Sequence, residues 1–297
     1  MMIEVNALTK RFADVSALSG IDIHVPKGSI YGLVGPNGSG KTTLIKHIMG
    51  ILKADSGTMR VAGQEVYENP AVKERMAYVS DQLYFFHSAS LLDMRRFYKR
   101  IYPAFDDALF QKLQAAFPHD IKKPLRSFSK GMQKQAAIWL ALSLRPDLMV
   151  LDEPIDGLDP VMRRSIWSLI LQEVAERELT VFISSHNLRE LEDVCDHVGI
   201  MHQGKMLLER NLSELQSTLT KLQIAFDGDA PPDMNRFDAL HASKSGRIYE
   251  YILRGNTEDI LENVSSLCPI LAETLPLTLE EIFIYELGGM DYAEIIL

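Results

Sequence analysis

The chain has 297 residues, of which 46% are hydrophobic and 24% are charged. This length is enough for about two domains with sizeable cores, and the composition excludes disordered and fibrous classes of protein. The formal net charge of -9 gives no general attraction to nucleic acid or to anionic lipid, so we expect no nucleic-acid partner.

The first predicted elements are two half-buried strands, at residues 3–8 and 21–25, because apolar and polar residues alternate in both. Phe12 lies between them. An aromatic residue just before a phosphate loop can stack on a nucleotide base, although a single Phe between strands is also typical of an ordinary core. The N-terminus lacks the basic start, apolar core and small-residue cleavage site of a secretory signal, so we expect a protein that stays inside the cell.

Residues 29–50 join an apolar run, a glycine-rich loop and a helical pattern, which is the context of a phosphate-binding loop. The loop matches G-x-x-x-x-G-K-[ST]. Its predicted nucleotide-binding residues are Gly35, Pro36, Asn37, Gly38, Ser39, Gly40, Lys41, Thr42 and Thr43. Glycines let backbone N–H groups approach phosphates, and the helix N-terminus favours anions. Lys41 adds a charge near the β- and γ-phosphates, and the Thr42 hydroxyl can bind Mg²⁺, so we predict binding of a nucleoside triphosphate with Mg²⁺.

The middle of the chain predicts a layer of helices. A hairpin at residues 58–61 and 65–67 precedes it, and residues 91–102, 108–117 and 132–144 then place apolar residues three and four apart. The most apolar stretch is interrupted by Arg145, Pro146 and Asp147. Because a membrane span needs roughly 18 apolar residues, we expect no transmembrane helix.

Two carboxylates close the next buried strand, at residues 148–154. The carboxyl ends of parallel strands are where α/β folds place their ligands, and adjacent strand residues point in different directions. We therefore predict that Asp152 holds Mg²⁺ through water and that Glu153 faces the γ-phosphate and polarises the attacking water; the alternative is a solvated strand end. A second buried run at residues 180–185 and a crossover helix at 161–177 predict a mostly parallel sheet with helices on both faces.

The pattern changes after Gly204. Residues 221–226, 248–253 and 270–275 predict strands, residues 257–267 and 279–287 predict helices, and residues 227–233 predict a loop. We therefore predict a nucleotide-binding domain at residues 1–217 and a small α+β domain at residues 218–297. The two cysteines, Cys195 and Cys268, lack metal-ligand spacing and indicate a reduced, cytoplasmic setting.

Several ordered motifs of the first domain resemble those of the ATP-binding subunit of an ABC transporter. Residues 128–132, FSKGM, resemble the signature motif, usually LSGGQ. Residues 156–160, DGLDP, resemble the D-loop, and Ser185 with His186 resembles the switch histidine. The resemblance covers residues 1–217, and residues 279–283 also resemble the C-terminal extension of drug and antibiotic exporter ATPases.

This resemblance implies a P-loop NTPase fold, with a RecA-like, mostly parallel sheet, an antiparallel β subdomain and a helical signature subdomain. It implies that Ser129 and Gly131 contact the γ-phosphate of ATP held by an opposite subunit, and that Asp159 of the D-loop also binds nucleotide. His186 would contact the same phosphate and join Glu153 as a catalytic residue. The implied partners are a related or identical ATPase subunit, forming a homodimer or heterodimer, and an integral membrane permease on the inner face of the cell membrane.

Two positions depart from the family pattern. Lys130 and Met132 replace the usual Gly and Gln of the signature, a variant form known among exporters. At the Q-loop, Asp81 takes the register of the usual Gln and Gln82 follows one residue later. Either side chain can bind Mg²⁺ or its water; we assign Gln82 as the candidate ligand and keep Asp81 as the alternative.

Two other classes of function compete with transport. One is a soluble ABC-type ATPase that acts on the ribosome or on DNA, although such proteins typically carry two cassettes or a coiled-coil insertion. The other is a regulatory module that senses ATP without hydrolysing it, which the presence of Glu153 and His186 disfavours. A steady-state phosphate-release assay separates the sensor from the two ATPases.

Overall fold

Two sheets and a layer of helices form the first of two compact units, which runs from Met1 to Glu209. The structure is a computed structural model and describes residues 1–117, 119–227 and 237–286. The strands that begin in this unit are β1 (Ile3–Phe12), β2 (Val15–Val25), β3 (Ile30–Val34), β4 (Ser56–Val61), β5 (Gln64–Glu65), β6 (Met76–Val79), β7 (Leu148–Asp152), β8 (Thr180–Ser185), β9 (His197–His202) and β10 (Lys205–Asn211). The helices are α1 (Lys41–Ile48), α2 (Pro70–Lys73), α3 (Leu91–Ile101), α4 (Asp107–Leu113), α5 (Lys130–Ser143), α6 (Pro160–Arg177) and α7 (Arg189–Glu192).

The central sheet has the strand order β10-β9-β3-β8-β7-β6. Its five strands from β9 to β6 pair in parallel, and β3, β7 and β8 are buried at every residue, as expected for strands covered on both faces. Val34 pairs with Ser185, and Asp152 pairs with Ser184. The carboxyl ends of β3, β7 and β8 therefore meet at one edge of the sheet.

An antiparallel sheet of order β2-β1-β4-β5 packs its apolar face into the same core. Alternate residues of β1 and β2 are buried there, and α1 contributes Leu44, Ile45 and Ile48. Tyr31 of β3 and Phe182 of β8 stack with their ring centroids 5.3 Å apart. The helix that follows the glycine loop is thus fixed between the two sheets.

The helical layer is held by an aromatic cluster. Ser90 and Asp93 form a capping box that starts α3. In α5, the fully buried Trp139 stacks on Phe110 and Phe117, with ring centroids 4.7 Å and 5.9 Å away. Its Nε1 donates to the backbone oxygen of Phe110 at 2.8 Å. These contacts fix α5 against α4.

The second compact unit begins at Arg210. It contains α8 (Leu212–Thr218), β11 (Leu219–Ala225), β12 (Ala239–Ser245), β13 (Ile248–Arg254), α9 (Thr257–Ser265), β14 (Leu271–Leu275) and α10 (Leu279–Glu286). The strands form an antiparallel sheet of order β12-β13-β11-β14. Its core includes Leu222, Ile224, Tyr251, Leu253 and Val264.

The predicted α/β architecture is confirmed, with its mostly parallel sheet, antiparallel sheet, helical layer and small α+β unit. The strand at residues 180–185 matches its prediction, whereas β9, β10 and β12 were not predicted. In β12 nearly every residue is exposed, so no apolar alternation marks it. Most of the predicted loop at 227–233 and the last residue of the helix at 279–287 lie outside the described residues. Within the ranges that are described, a bilayer-spanning helix is absent.

Candidate active site

A cavity of about 480 Å³ lies at the edge of the central sheet where the parallel strands end. Segments from both sheets line it, together with the start of α1. The lining residues are Val15, Ser16, Ala17, Asn37, Gly38, Gly40, Lys41, Thr42, Thr43, Asp81, Asp152, Glu153, Gln203 and Gly204. Most of the predicted phosphate loop and both predicted carboxylates therefore face one cavity.

The loop between β3 and α1 has a shape that needs glycine. Gly40 has a φ of 108°, and a Cβ there would lie 2.7 Å from the backbone oxygen of Ala17. Gly40 is also the N-cap of α1 and offers no side-chain cap, so the N–H groups of the first turn remain for another acceptor. The buried Ser39 hydroxyl has no hydrogen-bond partner among the described residues. The loop thus fits a polyanion.

Lys41 folds back over its own loop. Its side chain is nearly buried, and Nζ donates to the backbone oxygens of Gly35 at 2.5 Å and Pro36 at 3.2 Å. Gly35 and Pro36 thus contact the Lys41 ammonium through their backbone carbonyls. The Glu153 carboxylate is 3.9 Å from the same nitrogen. Burial lowers the pKa of Lys41, and the nearby charges of Glu153 and Asp152 oppose this shift.

Asp152 and Thr42 form the candidate Mg²⁺ site. Thr42 Oγ1 donates to Asp152 Oδ2 at 3.3 Å, and Ser184 Oγ donates to the other carboxylate oxygen. Hydroxyl and carboxylate oxygens are ligands that Mg²⁺ prefers, so this pair fits the ion. Asp81 lines the same cavity, whereas the neighbouring Gln82, which the structure also describes, does not. No sequence pattern indicated Ser184 as a site residue.

Glu153 and His186 form the second pair. His186 Nδ1 donates to Glu153 Oε2 at 2.9 Å, a bond that requires the proton on Nδ1. Half of the His186 side chain is exposed, whereas Glu153 is mostly buried. Burial raises the pKa of Glu153, and the hydrogen bond from His186 and the charge of Lys41 act against this. A carboxylate with a raised pKa beside a phosphate loop is suited to proton chemistry.

The predicted signature and D-loop residues do not line this cavity. Ser129 is the N-cap of α5, and its hydroxyl accepts from Met132 N at 3.3 Å. A Cβ at Gly131 would lie 3.2 Å from Leu158, so the start of α5 packs on the D-loop. The Asp159 carboxylate caps α6. It accepts hydrogen bonds from the N–H groups of Val161 and Met162, both at 3.0 Å.

Phe12 ends β1 and lies outside the residues that line the cavity; residues 15–17 line it instead. The Phe12 ring is 45% exposed and has the Lys10 ammonium 5.6 Å from its centroid.

Lys134 was not predicted from the sequence. It is buried in α5, and Nζ donates to the backbone oxygens of Glu153 and Asp156. The available signal was a charged residue inside an otherwise uncharged helix, since only Lys130 and Lys134 of α5 carry charge. Buried charges are rare unless they are paired.

The site has a glycine loop between a buried parallel strand and a helix, and a hydroxyl–carboxylate pair and a Glu–His pair lie beside this loop. These features together define a P-loop nucleoside triphosphatase. Comparison with known proteins narrows this class. A family model described as ABC transporter matches residues 18–156. The chain belongs to the family of ABC transporter ATP-binding proteins, and it is an ATP-binding ATPase of that family.

Individual relatives support this assignment along nearly the whole chain. The ABC transporter ATP-binding protein YtrB of Bacillus subtilis (strain 168) is 33% identical over 288 residues, covering 97% of this chain and 99% of YtrB. The bacitracin transport ATP-binding protein BcrA of Bacillus licheniformis is 34% identical over 211 residues, covering 70% of this chain and 69% of BcrA. A solved ATP-binding subunit of an ABC transporter matches with a TM-score of 0.67 at 26% identity, covering 73% of this chain and 92% of that chain.

Proposed function

We propose that this chain hydrolyses MgATP to drive the export of a drug or peptide antibiotic through a separate membrane protein. The observation that carries the proposal is the placement of Lys41, Asp152 and Glu153 around one cavity, with His186 hydrogen-bonded to Glu153. The substrate class rests on relatives named for bacitracin transport, and on the lantibiotic transport ATP-binding protein SrtF of Streptococcus pyogenes, which is 30% identical over 76% of this chain and 99% of its own length.

The residues divide the chemistry among themselves. The phosphate loop and Lys41 bind the β- and γ-phosphates, while Thr42 and Asp152 would hold Mg²⁺, whose positive charge would offset that of the phosphates. The position of Asp81 in the cavity supports Asp81, in place of Gln82, as the residue that holds a water of the metal. Glu153 polarises the attacking water, and His186 orients the Glu153 carboxylate through their hydrogen bond.

A second ATPase subunit completes the site in this proposal. Ser129 and Gly131 lie at the N-terminus of α5, outside the cavity of their own chain. A helix N-terminus attracts anions, so these residues can contact a γ-phosphate held by another copy or by a close relative. Asp159 acts beside them as the cap of α6, and Phe12 stacks on the base from its exposed position.

An aromatic groove in the first unit supports contact with the membrane protein on the cytoplasmic side. The groove has a volume of about 320 Å³, and its walls include Tyr84, Phe85, Tyr98, Tyr102, Ala137 and Leu140. Tyr84 is 78% exposed, and the exposed Phe86 packs edge-on against Phe97 with ring centroids 4.9 Å apart. Exposed aromatic patches mark protein interaction surfaces. We place the permease here.

Phosphate release tests the enzymatic part of the proposal. The chain should release phosphate from ATP with Mg²⁺ and release almost none when a chelator removes the metal. A chain that binds ATP but turns none over would be a sensor. Copurification with ribosomes, or stimulation of the ATPase by DNA, would favour the soluble alternative over transport.

Replacing Tyr84 and Phe86 together with alanine should abolish copurification of an integral membrane protein with the tagged chain from its native cell. Each side chain contributes aromatic contact area to the proposed interface. The ATPase rate of the purified variant alone should stay near that of the unchanged chain, because neither residue lines the ATP cavity. Ile270→Ala is the matched control, since Ile270 is also exposed but lies in the second unit. Retention of the membrane partner by the double variant would contradict this location.

Removing residues 218–297 should leave a chain that still binds MgATP. All proposed ATP-site residues precede this segment, and the first compact unit ends at Glu209. The removed segment then serves dimerisation or regulation. Binding of a fluorescent ATP analogue to residues 1–217 checks this, and a soluble truncated chain that binds no nucleotide would show that the two domains are not independent.

A further inference from the structure

A buried lysine links three segments of the chain near the Glu153 carboxylate. Lys134 of α5 is only 7% exposed. Its ammonium donates to the backbone oxygen of Glu153 at 2.6 Å and to that of Asp156 at 3.0 Å. The carboxylate of Asp81, in the loop after β6, lies 3.8 Å from the same nitrogen. One ammonium thus links α5 to the loops that follow β6 and β7.

The backbone of Glu153 is strained where this link reaches it. Glu153 has a φ of 49°, in the left-handed region that residues other than glycine rarely adopt. Such a conformation persists only where its surroundings fix it, and it is common at functional sites. On one side, the N–H of Glu153 lies 3.2 Å from the backbone oxygen of Ser184 and 3.3 Å from its hydroxyl. On the other side, the carbonyl of Glu153 accepts the bond from Lys134.

We infer that Lys134 is a positioning residue for ATP hydrolysis, which holds the Glu153 backbone in the conformation that aims its carboxylate at the attacking water. This inference rests on the proposed function. Hydrogen bonds from a charged donor are stronger than neutral ones, and more so away from water. An apolar side chain at position 134 removes this donor from two carbonyls, so the strained loop relaxes. Displacing a catalytic group by about 1 Å can cost roughly 100-fold in rate.

The effect should fall on kcat and spare ATP binding. The described contacts of Lys134 are to the loops after β6 and β7 and not to the phosphate loop that carries Lys41. Lys134→Met keeps an unbranched side chain, one atom shorter, and removes its charge and donors. We expect kcat for MgATP to fall about 10- to 100-fold while KM stays near its original value.

Gln135→Met is the matched control. Gln135 is the next residue of α5, is also buried at 3% exposure, and bonds His119 at 2.6 Å instead of the β7 loop. Both variants place a methionine at a buried polar position of one helix, so a general loss of helix stability should affect both. We expect Gln135→Met to lower the Tm while keeping kcat. Lys134→Gln retains an N–H donor and should have a kcat between those of the methionine variant and the unchanged chain.

Three results would overturn the inference. Unchanged kcat in Lys134→Met would do so directly, and a raised KM beside it would assign Lys134 to ATP binding. Equal losses of kcat in the two methionine variants, with equal falls in Tm, would reduce its role to helix stability. Should Lys134→Met fail to fold, Lys134→Gln decides, and full kcat there overturns the inference. If the unchanged chain itself hydrolyses no MgATP, the proposed function fails first, which distinguishes the two failures.

Discussion

Lys41→Ala should weaken MgATP binding by about 100-fold and remove measurable turnover. Lys41 lies in the glycine loop with its ammonium between two loop carbonyls and the Glu153 carboxylate. When a triphosphate binds, its negatively charged phosphate oxygens would replace these weaker partners of the Lys41 ammonium. The alanine variant loses that charge in a buried position, where solvent screens it least. Isothermal titration with MgATP and a steady-state phosphate assay measure the two effects.

Lys73→Ala is the control for this variant. Lys73 also donates to a backbone carbonyl, that of Gly50 at 2.8 Å, but it lines the aromatic groove and not the ATP cavity. The affinity of the Lys73→Ala variant for MgATP should not change. This result would separate the loss of a phosphate contact from the loss of a lysine. Full hydrolysis by Lys41→Ala, with contaminating ATPases excluded, would remove the basis for the proposed site.

Glu153→Gln should bind ATP and hydrolyse it about 100- to 10,000-fold more slowly. The amide keeps the shape of the side chain and the contact with His186, but it cannot accept a proton from water. Uncleaved ATP should then hold two subunits together through the Ser129 ends of their α5 helices, because the γ-phosphate supplies the charge that these helix ends bind. Size-exclusion chromatography with and without ATP measures this as a shift from monomer to dimer.

Glu178→Gln is a closely matched control for the glutamine variant. Glu178 has a φ of 57° and therefore shares the left-handed backbone of Glu153, but it is exposed and pairs with Lys27 at 2.6 Å. It should keep normal hydrolysis and show no ATP-dependent dimer. A monomeric Glu153→Gln chain at high ATP, with binding measured separately, would rule out a homodimer and leave a heterodimer with a related ATPase.

The local parts of the site could be predicted from the sequence because short segments determine them. The glycine loop needs left-handed backbone at Gly40, and only a few residue types permit it. Asp152 follows four apolar residues of a fully buried strand, which predicts its place at the carboxyl end of a parallel sheet. In each case the conformation depends on neighbours in the chain, and the pattern of those neighbours is visible.

The contacts between distant segments could not be predicted in this way. Asp81 and Gln82 are adjacent in the chain, and only the path of the loop after β6 places Asp81 in the cavity. Lys134 reaches Glu153 because α5 packs beside the end of β7, a relation between segments that no periodicity encodes. Phe12 precedes the loop in sequence, yet the turn between β1 and β2 brings residues 15–17 to the cavity instead.

The aromatic cluster that fixes α5 also gives the protein an optical probe of its own. The chain has two tryptophans, and Trp139 lies in the same helix as Lys134, fully buried and stacked on the rings of Phe110 and Phe117. The other, Trp167, lies in α6, and neither lines the ATP cavity. In a Trp167→Phe chain, tryptophan emission therefore comes from Trp139 alone. Its wavelength reports whether the helical layer keeps its indole away from water, without a dye and without contact between the fluorophore and the nucleotide.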